Sequence, residues 1–197
     1  MKIIGLTGPS GSGKTTVALI AKELGFAVID CDKLARKVTE KGSNTLSVLS
    51  SAFGSDIILS DGTLDRKRLA EKAFQNKGKT EILNNIMLPA VAKLVNAEVE
   101  KYTLEGFKSV LLDAPTLYES GLDGICTSVL AVLCPIEIRK QRIIERDGLT
   151  EEQASIRLAA SIPDDFYRER TKFIIVNDGD FAKFQNSARC ILNTLGD

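Results

Sequence analysis

A short apolar run, Lys2–Leu6, leads directly into Gly8-Pro-Ser-Gly-Ser-Gly13-Lys14-Thr15. That octapeptide fits G-x-x-x-x-G-K-[ST], and no other segment restricts the fold as strongly. The pattern demands a buried strand, a tight glycine turn whose N–H groups face inward, and a helix whose positive end meets an anion. Its side chains carry definite roles. Lys14 would reach the β/γ-phosphates of a nucleotide, the Thr15 hydroxyl would sit on Mg²⁺, and the backbone of Ser10, Gly11, Ser12, Gly13 and Thr16 would complete the cradle. A glycine-rich turn before an ordinary helix is the plain alternative. The context argues against it, because a strand pattern precedes the loop and Thr16–Leu24 reads as a helix ending at Gly25. The dinucleotide fingerprint G-x-G-x-x-G fails, since Gly11-Ser-Gly13 is followed by Thr16.

Four further strand-like runs follow Ile3–Leu6: Ala27–Asp30, Ser109–Asp113, Ser128–Leu133 and Phe173–Val176. Most are continuously apolar, as parallel strands covered on both faces must be. Helical stretches separate them, which predicts an α/β fold: a five-stranded parallel sheet flanked by helices. Two separations are too long for ordinary connections. In the first, Leu46, Leu49 and Phe53 recur at helical spacing, Asp61-Gly62 marks a turn, and Leu64-Asp65-Arg66 precedes another helix. Ile82, Ile86, Val91, Leu94 and Val95 suggest further helices interrupted by Pro89. The expected organisation is a core (1–30, 109–135, 172–197), a helical acceptor-binding insertion (31–108) and a lid (136–171).

The lid region concentrates arginine. Arg139, Arg142 and Arg146 fall on one helical face, Asp147-Gly148 ends that helix, and Thr150-x-x-Gln153 fits a capping box for a second helix bearing Arg157. Arg168 and Arg170 follow. Such a stripe is either a solvated face or a lid that closes over a triphosphate and neutralises its charge.

Composition narrows the chemistry. The 197-residue chain is 44% hydrophobic and has 26 basic and 26 acidic residues, for a net charge of zero. A broad nucleic-acid or membrane surface is therefore not expected. The strand and phosphate loop start at once after Met1, leaving no room for a cleavable signal, so the expected location is cytoplasmic. Cys31, Cys126, Cys134 and Cys190 form no metal-spaced pairs and read as buried thiols. The chain contains no histidine. A general base must then be a carboxylate, lysine, tyrosine or water.

Carboxylates stand in suitable places. Asp30-Cys31-Asp32 ends the second strand; either aspartate could cap the next helix, and Asp32 is the better candidate to accept a proton from an attacking hydroxyl. Asp113 closes Val110-Leu-Leu-Asp like a metal-holding strand-end carboxylate. Beyond it, Leu117, Tyr118 and Glu119 could equally pack in a core or contact an acceptor. A switch GTPase would need D-x-x-G after that strand and an N-K-x-D motif. Asp113 is followed by Ala-Pro-Thr and Asn76-Lys77 by Gly-Lys. A small-molecule kinase fits best.

With these motifs in place, the chain resembles dephospho-coenzyme A kinases from Ile4 to about Gly179. The resemblance rests on Gly5-Leu-Thr-Gly8 through Thr16, Val28-Ile-Asp-Cys-Asp32-Lys-Leu-Ala-Arg36 and Asp61-Gly-Thr-Leu-Asp65-Arg66. It continues through Leu112-Asp-Ala-Pro115, Tyr118-Glu119, Arg142-x-x-x-Arg146-Asp-Gly-Leu-Thr-Glu-Glu-Gln-Ala154 and Ile175-Val-Asn177-Asp-Gly179. It implies a P-loop fold like that of nucleoside-monophosphate kinases. It further implies transfer of the γ-phosphoryl of ATP, with Mg²⁺, to the ribose 3′-hydroxyl of dephospho-coenzyme A by a monomer or weak oligomer. Asp32 would serve the acceptor hydroxyl and Arg142 and Arg146 the lid. Arg36 and Arg66 would hold the acceptor, and Asn177 would lie where the adenine is held. The chain departs from the family at Leu88, Thr116, Ser161 and Lys172, all on expected acceptor or lid surfaces.

Overall fold

The structure, a computed structural model, describes residues 1–196. Its strands are β1 (Lys2–Thr7), β2 (Ala27–Asp30), β3 (Ser109–Asp113), β4 (Ser128–Leu133) and β5 (Phe173–Val176). Its helices are α1 (Lys14–Glu23), α2 (Cys31–Lys37), α3 (Asn44–Phe53), α4 (Arg66–Ala73) and α5 (Lys77–Leu104). They continue with α6 (Ile136–Asp147), α7 (Glu151–Ala159), α8 (Asp164–Arg170) and α9 (Phe181–Gly196). The strands form one sheet in the order β2-β3-β1-β4-β5. β1 runs parallel to both β3 and β4, and β4 parallel to β5. The apolar runs thus become the strands expected of them, because each must be covered on two faces.

The chain divides into two compact units, residues 1–29 with 101–197, and residues 30–100. In the first, α1 and α9 cover one sheet face. Val17, Ile20 and Ala21 of α1 and Phe184, Ala188, Leu192 and Leu195 of α9 meet Ile4, Leu6, Leu111, Leu130, Val132 and Ile175. The α9 residues recur at three- and four-residue intervals, so the helix shows a single apolar stripe to the sheet. Each large side chain buried there contributes on the order of 1.5–3 kcal/mol before entropy is counted. Cys190 lies off the stripe and is exposed, whereas Cys31 and Cys134 are buried. The expectation of buried thiols therefore fails at Cys190. On another part of the sheet, Ala131, Leu133 and Ile174 pack with Phe166 and Tyr167 of α8.

The second unit has its own core of Leu46, Leu49, Phe53, Ile57, Leu64, Leu69 and Ala73. A bridge between Ile58 and Leu64 flanks the Asp61-Gly62 turn, and Asp65 caps α4 by accepting from Arg68 N–H at 2.9 Å. One expectation fails here. Pro89 does not interrupt the helices around it but lies inside the single 28-residue α5. Proline removes the bond to the carbonyl of Asn85. Both Asn85 and Pro89 are solvent-exposed, so that carbonyl is left on the wet side, where its loss is tolerated. Among the described residues, no helix is long and apolar enough to cross a membrane.

Tyr167 provides a test of the α8 packing. It is 3% exposed, and burial, reinforced by the Glu119 and Asp164 carboxylates, pushes its phenol up to about 12 from 10.0. The folded state thus favours the protonated phenol. Its contribution to stability is complete below the unfolded value and is lost as pH rises from about 10 to about 12. In thermal melts across that interval, Tyr167→Phe should lose Tm less steeply than the parent, with parallel curves below pH 10. Equal slopes would remove Tyr167 as a titrating group of the fold.

Candidate active site

The phosphate loop joins β1 to α1 and begins at a position no side chain can occupy. Gly8 has φ +132°, and a Cβ there would stand 2.2 Å from the carbonyl oxygen of Val132 on β4. The chain crosses the end of β4 at this point and turns. Gly13, at φ 111°, is the N-cap of α1 and supplies no capping side chain. The helix starts at Lys14, beside Gly13 where the phosphate-loop pattern puts it, and its first turn takes in the two residues before Thr16.

The helix termini show what is unusual about α1. Asp30, Ser43, Asp65 and Thr150 cap α2, α3, α4 and α7 with side-chain oxygens. Asn76 and Asp180 accept in the same way from Lys79 and Lys183 at the starts of α5 and α9. The proline-started α6 and α8 carry Glu137, and Asp164 with Asp165, in their first turns. α1 has neither a side-chain cap nor a first-turn acid. The first turn of any helix has N–H groups without intrahelical partners and carries partial positive charge. Here no side chain of the helix offsets it, which suits an external anion.

Lys14 is folded along this loop, donating from Nζ to the carbonyls of Gly8 at 2.6 Å and Pro9 at 3.0 Å. Thr15, in the first turn, is exposed. Asp113 is half-buried at the end of β3, in register with Leu6 of β1 and so close along the sheet to the start of the loop. A hydroxyl and a carboxylate are hard oxygen donors. Two such ligands, completed by phosphate oxygens and water, fit Mg²⁺.

α6 lies across the loop. The backbone of Arg139 would be 3.1–3.2 Å from a Cβ placed on Gly11. One turn on, Arg142 donates from Nη1 to the carbonyl of Gly11 at 3.1 Å and from Nη2 to Asn177 Oδ1 at 3.4 Å. A further turn on, Arg146 donates to Ser10 Oγ at 3.3 Å. The stripe thus places two of its three arginines on the loop. Arg139 differs: its side chain is buried and faces Asp164, 3.6 Å away, so it does not belong to the open basic face. Arg146 and Arg157 share the Asp147 carboxylate, and the Thr150–Gln153 capping box forms as expected. Asn177 is buried, with its amide on Ser12 and Arg142.

The remaining candidates separate by burial. Leu117 is fully buried and belongs to the packed interior, because its side chain fills space beside Gly5. Tyr118 hydrogen-bonds Thr171 Oγ1 at 2.7 Å and stacks edge-on with Phe166. Glu119 is exposed. In the second unit, Asp30 takes the capping role by accepting from Lys33 N–H at 2.9 Å, and Asp32 sits in the first turn of α2 with its side chain exposed. Arg36 is one turn further on the same helix. Arg66 donates to Thr39 Oγ1 at 3.1 Å, and that hydroxyl donates to the carbonyl of Arg36 at 3.1 Å. Thr39 was not singled out by the sequence. A hydroxyl on the same helical run as Asp32 and Arg36 is too common a pattern to stand out.

The sequence model of the dephospho-CoA kinase family matches residues 2–183. The chain belongs to the dephospho-CoA kinase family. That family performs the final step of coenzyme A biosynthesis. A dephospho-CoA kinase of Corynebacterium diphtheriae is 39% identical over 189 residues, 96% of this chain and 94% of that one. A crystal structure of a Thermus thermophilus protein superposes with a TM-score of 0.82 at 31% identity, covering 98% of this chain and 97% of that one. The dephospho-CoA kinase from Campylobacter jejuni gives 0.70 at 28% identity, covering 100% and 98%. The P-loop kinase fold expected from the motif is thus the fold of this family, with its sheet flanked by helices.

Gly8 is the position to test. Gly8→Ala adds a clash with fixed backbone to the strain of positive φ and should cost more than about 2 kcal/mol. Gly25→Ala, also at positive φ but with nothing within 4 Å of the added carbon, should cost about 1 kcal/mol. Denaturant unfolding of both variants measures the difference. Equal losses would mean that the approach to Val132 is not restrictive.

Proposed function

We propose that this chain moves the γ-phosphoryl of ATP onto the ribose 3′-hydroxyl of dephospho-coenzyme A, with Lys14 and Asp32 as its principal catalytic side chains. The observation that carries this reading is the start of α1, left without cap or acid, in a chain of the dephospho-CoA kinase family. The β- and γ-phosphates take that position, held by the main chain of Ser10–Thr16. Lys14 exchanges the neutral carbonyls of Gly8 and Pro9 for charged phosphate oxygens, which make stronger hydrogen bonds. Thr15 and Asp113 would hold Mg²⁺, which would supply positive charge to offset that of the phosphates.

In the transfer, the bond from the 3′-oxygen to the γ-phosphorus forms as the bond from the γ-phosphorus to the β,γ-bridging oxygen breaks. Asp32 takes the hydroxyl proton, ADP leaves, and coenzyme A is released. In a chain without histidine, an exposed aspartate in the first turn of α2 is the suitable base. Arg36, Arg66, Tyr118 and Glu119 hold the acceptor, and residues 31–108 form its lobe. Arg142 and Arg146 offset charge on the transferring group, while residues 136–171 act as a lid that excludes water. The balanced net charge suits a small-molecule substrate rather than nucleic acid or a membrane. Four free thiols suit the reducing cytoplasm, and we assign the enzyme a monomeric or weakly associated state.

Incubation with ATP, Mg²⁺ and dephospho-coenzyme A should give ADP and a 3′-phosphorylated product in equal amounts, identified by mass spectrometry. ADP formed without acceptor, or only with another alcohol, would overturn the acceptor assignment. Asp32→Asn should lower kcat by roughly 10²–10⁴ while ATP affinity, measured by calorimetry, stays within about twofold. Lys14→Ala should abolish turnover with the circular dichroism spectrum unchanged. Chelation of divalent cations should stop the reaction and added Mg²⁺ restore it.

A further inference from the structure

Asn177 lies just after β5 and is 4% exposed. Its main-chain N–H donates to the carbonyl of Leu133 at 2.8 Å, which fixes it beside the end of β4. Both ends of its side-chain amide are engaged toward the phosphate loop. Nδ2 donates to the carbonyl of Ser12 at 2.8 Å, and Oδ1 accepts from Arg142 Nη2 at 3.4 Å. Arg142 also donates to the carbonyl of Gly11 at 3.1 Å. Two successive loop carbonyls are therefore held from the same side, one by an amide and one by a guanidinium. Gly13 closes against this arrangement, since a Cβ there would lie 2.6 Å from Asn177 Nδ2 and 3.2 Å from the Phe184 ring.

In a trans peptide the C=O and N–H point in opposite directions. Holding the Ser12 carbonyl toward Asn177 therefore turns the Gly13 N–H the other way. We propose that Asn177 is a positioning residue of the phosphate site. Its amide fixes the Ser12–Gly13 peptide so that the Gly13 N–H faces the bound phosphates, and it keeps Arg142 on the loop. This role replaces contact with the adenine base and rests on the reading of the loop as the ATP site. A buried amide spent on Ser12 and Arg142 is placed to serve the loop rather than the base.

Tripolyphosphate separates the two roles, because it carries the phosphates and no base. Binding of tripolyphosphate and of ADP is measured by calorimetry for the parent, Asn177→Ala and Asn177→Asp. The aspartate keeps an acceptor for Arg142 but sets a carboxylate oxygen against the Ser12 carbonyl. Each variant should weaken both ligands by the same factor, about tenfold for the loss of a buried hydrogen bond. KM for ATP should rise while KM for dephospho-coenzyme A stays unchanged, which a general loss of structure would not produce. Weakened ADP with unchanged tripolyphosphate would overturn the proposal in favour of base contact. Unchanged binding of both by a folded variant would overturn it as well. Failure of the parent to bind tripolyphosphate or ADP would instead remove the phosphate-site reading, and the proposal with it. Should the variants not fold, the ¹⁵N spectrum of the parent decides. The Asn177 side-chain amide signals should respond alike to tripolyphosphate and ADP, and a response to ADP alone would overturn the role.

Discussion

The approach of Gly8 to the Val132 carbonyl governs the architecture of the first unit. With no room for even a Cβ, the chain leaving β1 passes tightly over the end of β4 and cannot drift outward before it turns. The same tightness recurs at Gly11, against the backbone of α6, and at Gly13, against Asn177 and Phe184. Three glycines thus meet three different elements, and each contact fixes one side of the loop. The loop before α1 is then held at three points while the first turn of the helix carries no cap of its own. A rigid cradle of this kind spends its ordering entropy during folding, so little is left to lose when an anion enters.

Charge is arranged locally rather than globally. A chain with equal numbers of acids and bases has no strong long-range field, yet Arg142 and Arg146 both reach the loop. Gathering two guanidiniums near a helix start, itself partly positive, is unfavourable unless acids balance it. Asp147 supplies that balance at Arg146. Arg146 first, and Arg157 with it, hold its carboxyl down at about 2, so it remains ionised throughout the ordinary pH range. The Arg-Asp-Gly segment is therefore a prearranged cluster in which one carboxylate keeps two arginines in place.

Much of this was legible in the sequence, and for identifiable reasons. The strands could be read because burial on both faces leaves little but Val, Ile and Leu. The cap at Thr150 and the helix start after Asp65 can be read because their signals are local. The 28-residue α5 could not, because Pro89 breaks a helix by propensity and only its exposed setting shows why it does not. Helical periodicity alone groups Arg139 with Arg142 and Arg146. Periodicity gives the angle of a side chain about its own helix, and Asp164, which draws Arg139 inward, comes from a different helix. Sequence leaves Leu117 between core and ligand because several of its neighbours along the chain are polar, whereas its side chain packs beside Gly5. The resemblance puts Asn177 where the adenine is held, and the two ends of its amide can be assigned only with Ser12 and Arg142 placed beside it.

The second unit shows how a single hydroxyl can organise groups that sequence reading treats separately. Asp30 caps α2, which leaves the adjacent Asp32 carboxylate out of the capping role. Thr39, 2% exposed, follows the same helix and donates to the carbonyl of Arg36 while accepting from Arg66. A hydroxyl has one proton to give and lone pairs to receive with, and here both capacities are used. The guanidinium of Arg66 is thereby tied to the helix that carries Asp32 and Arg36, across 27 residues of sequence. Replacing Thr39 by valine would keep the shape and lose the bond from Arg66 and those to the carbonyls of Ala35 and Arg36. The link between Arg66 and this helix is thus chemical rather than steric, and it depends on a residue that carries no charge of its own.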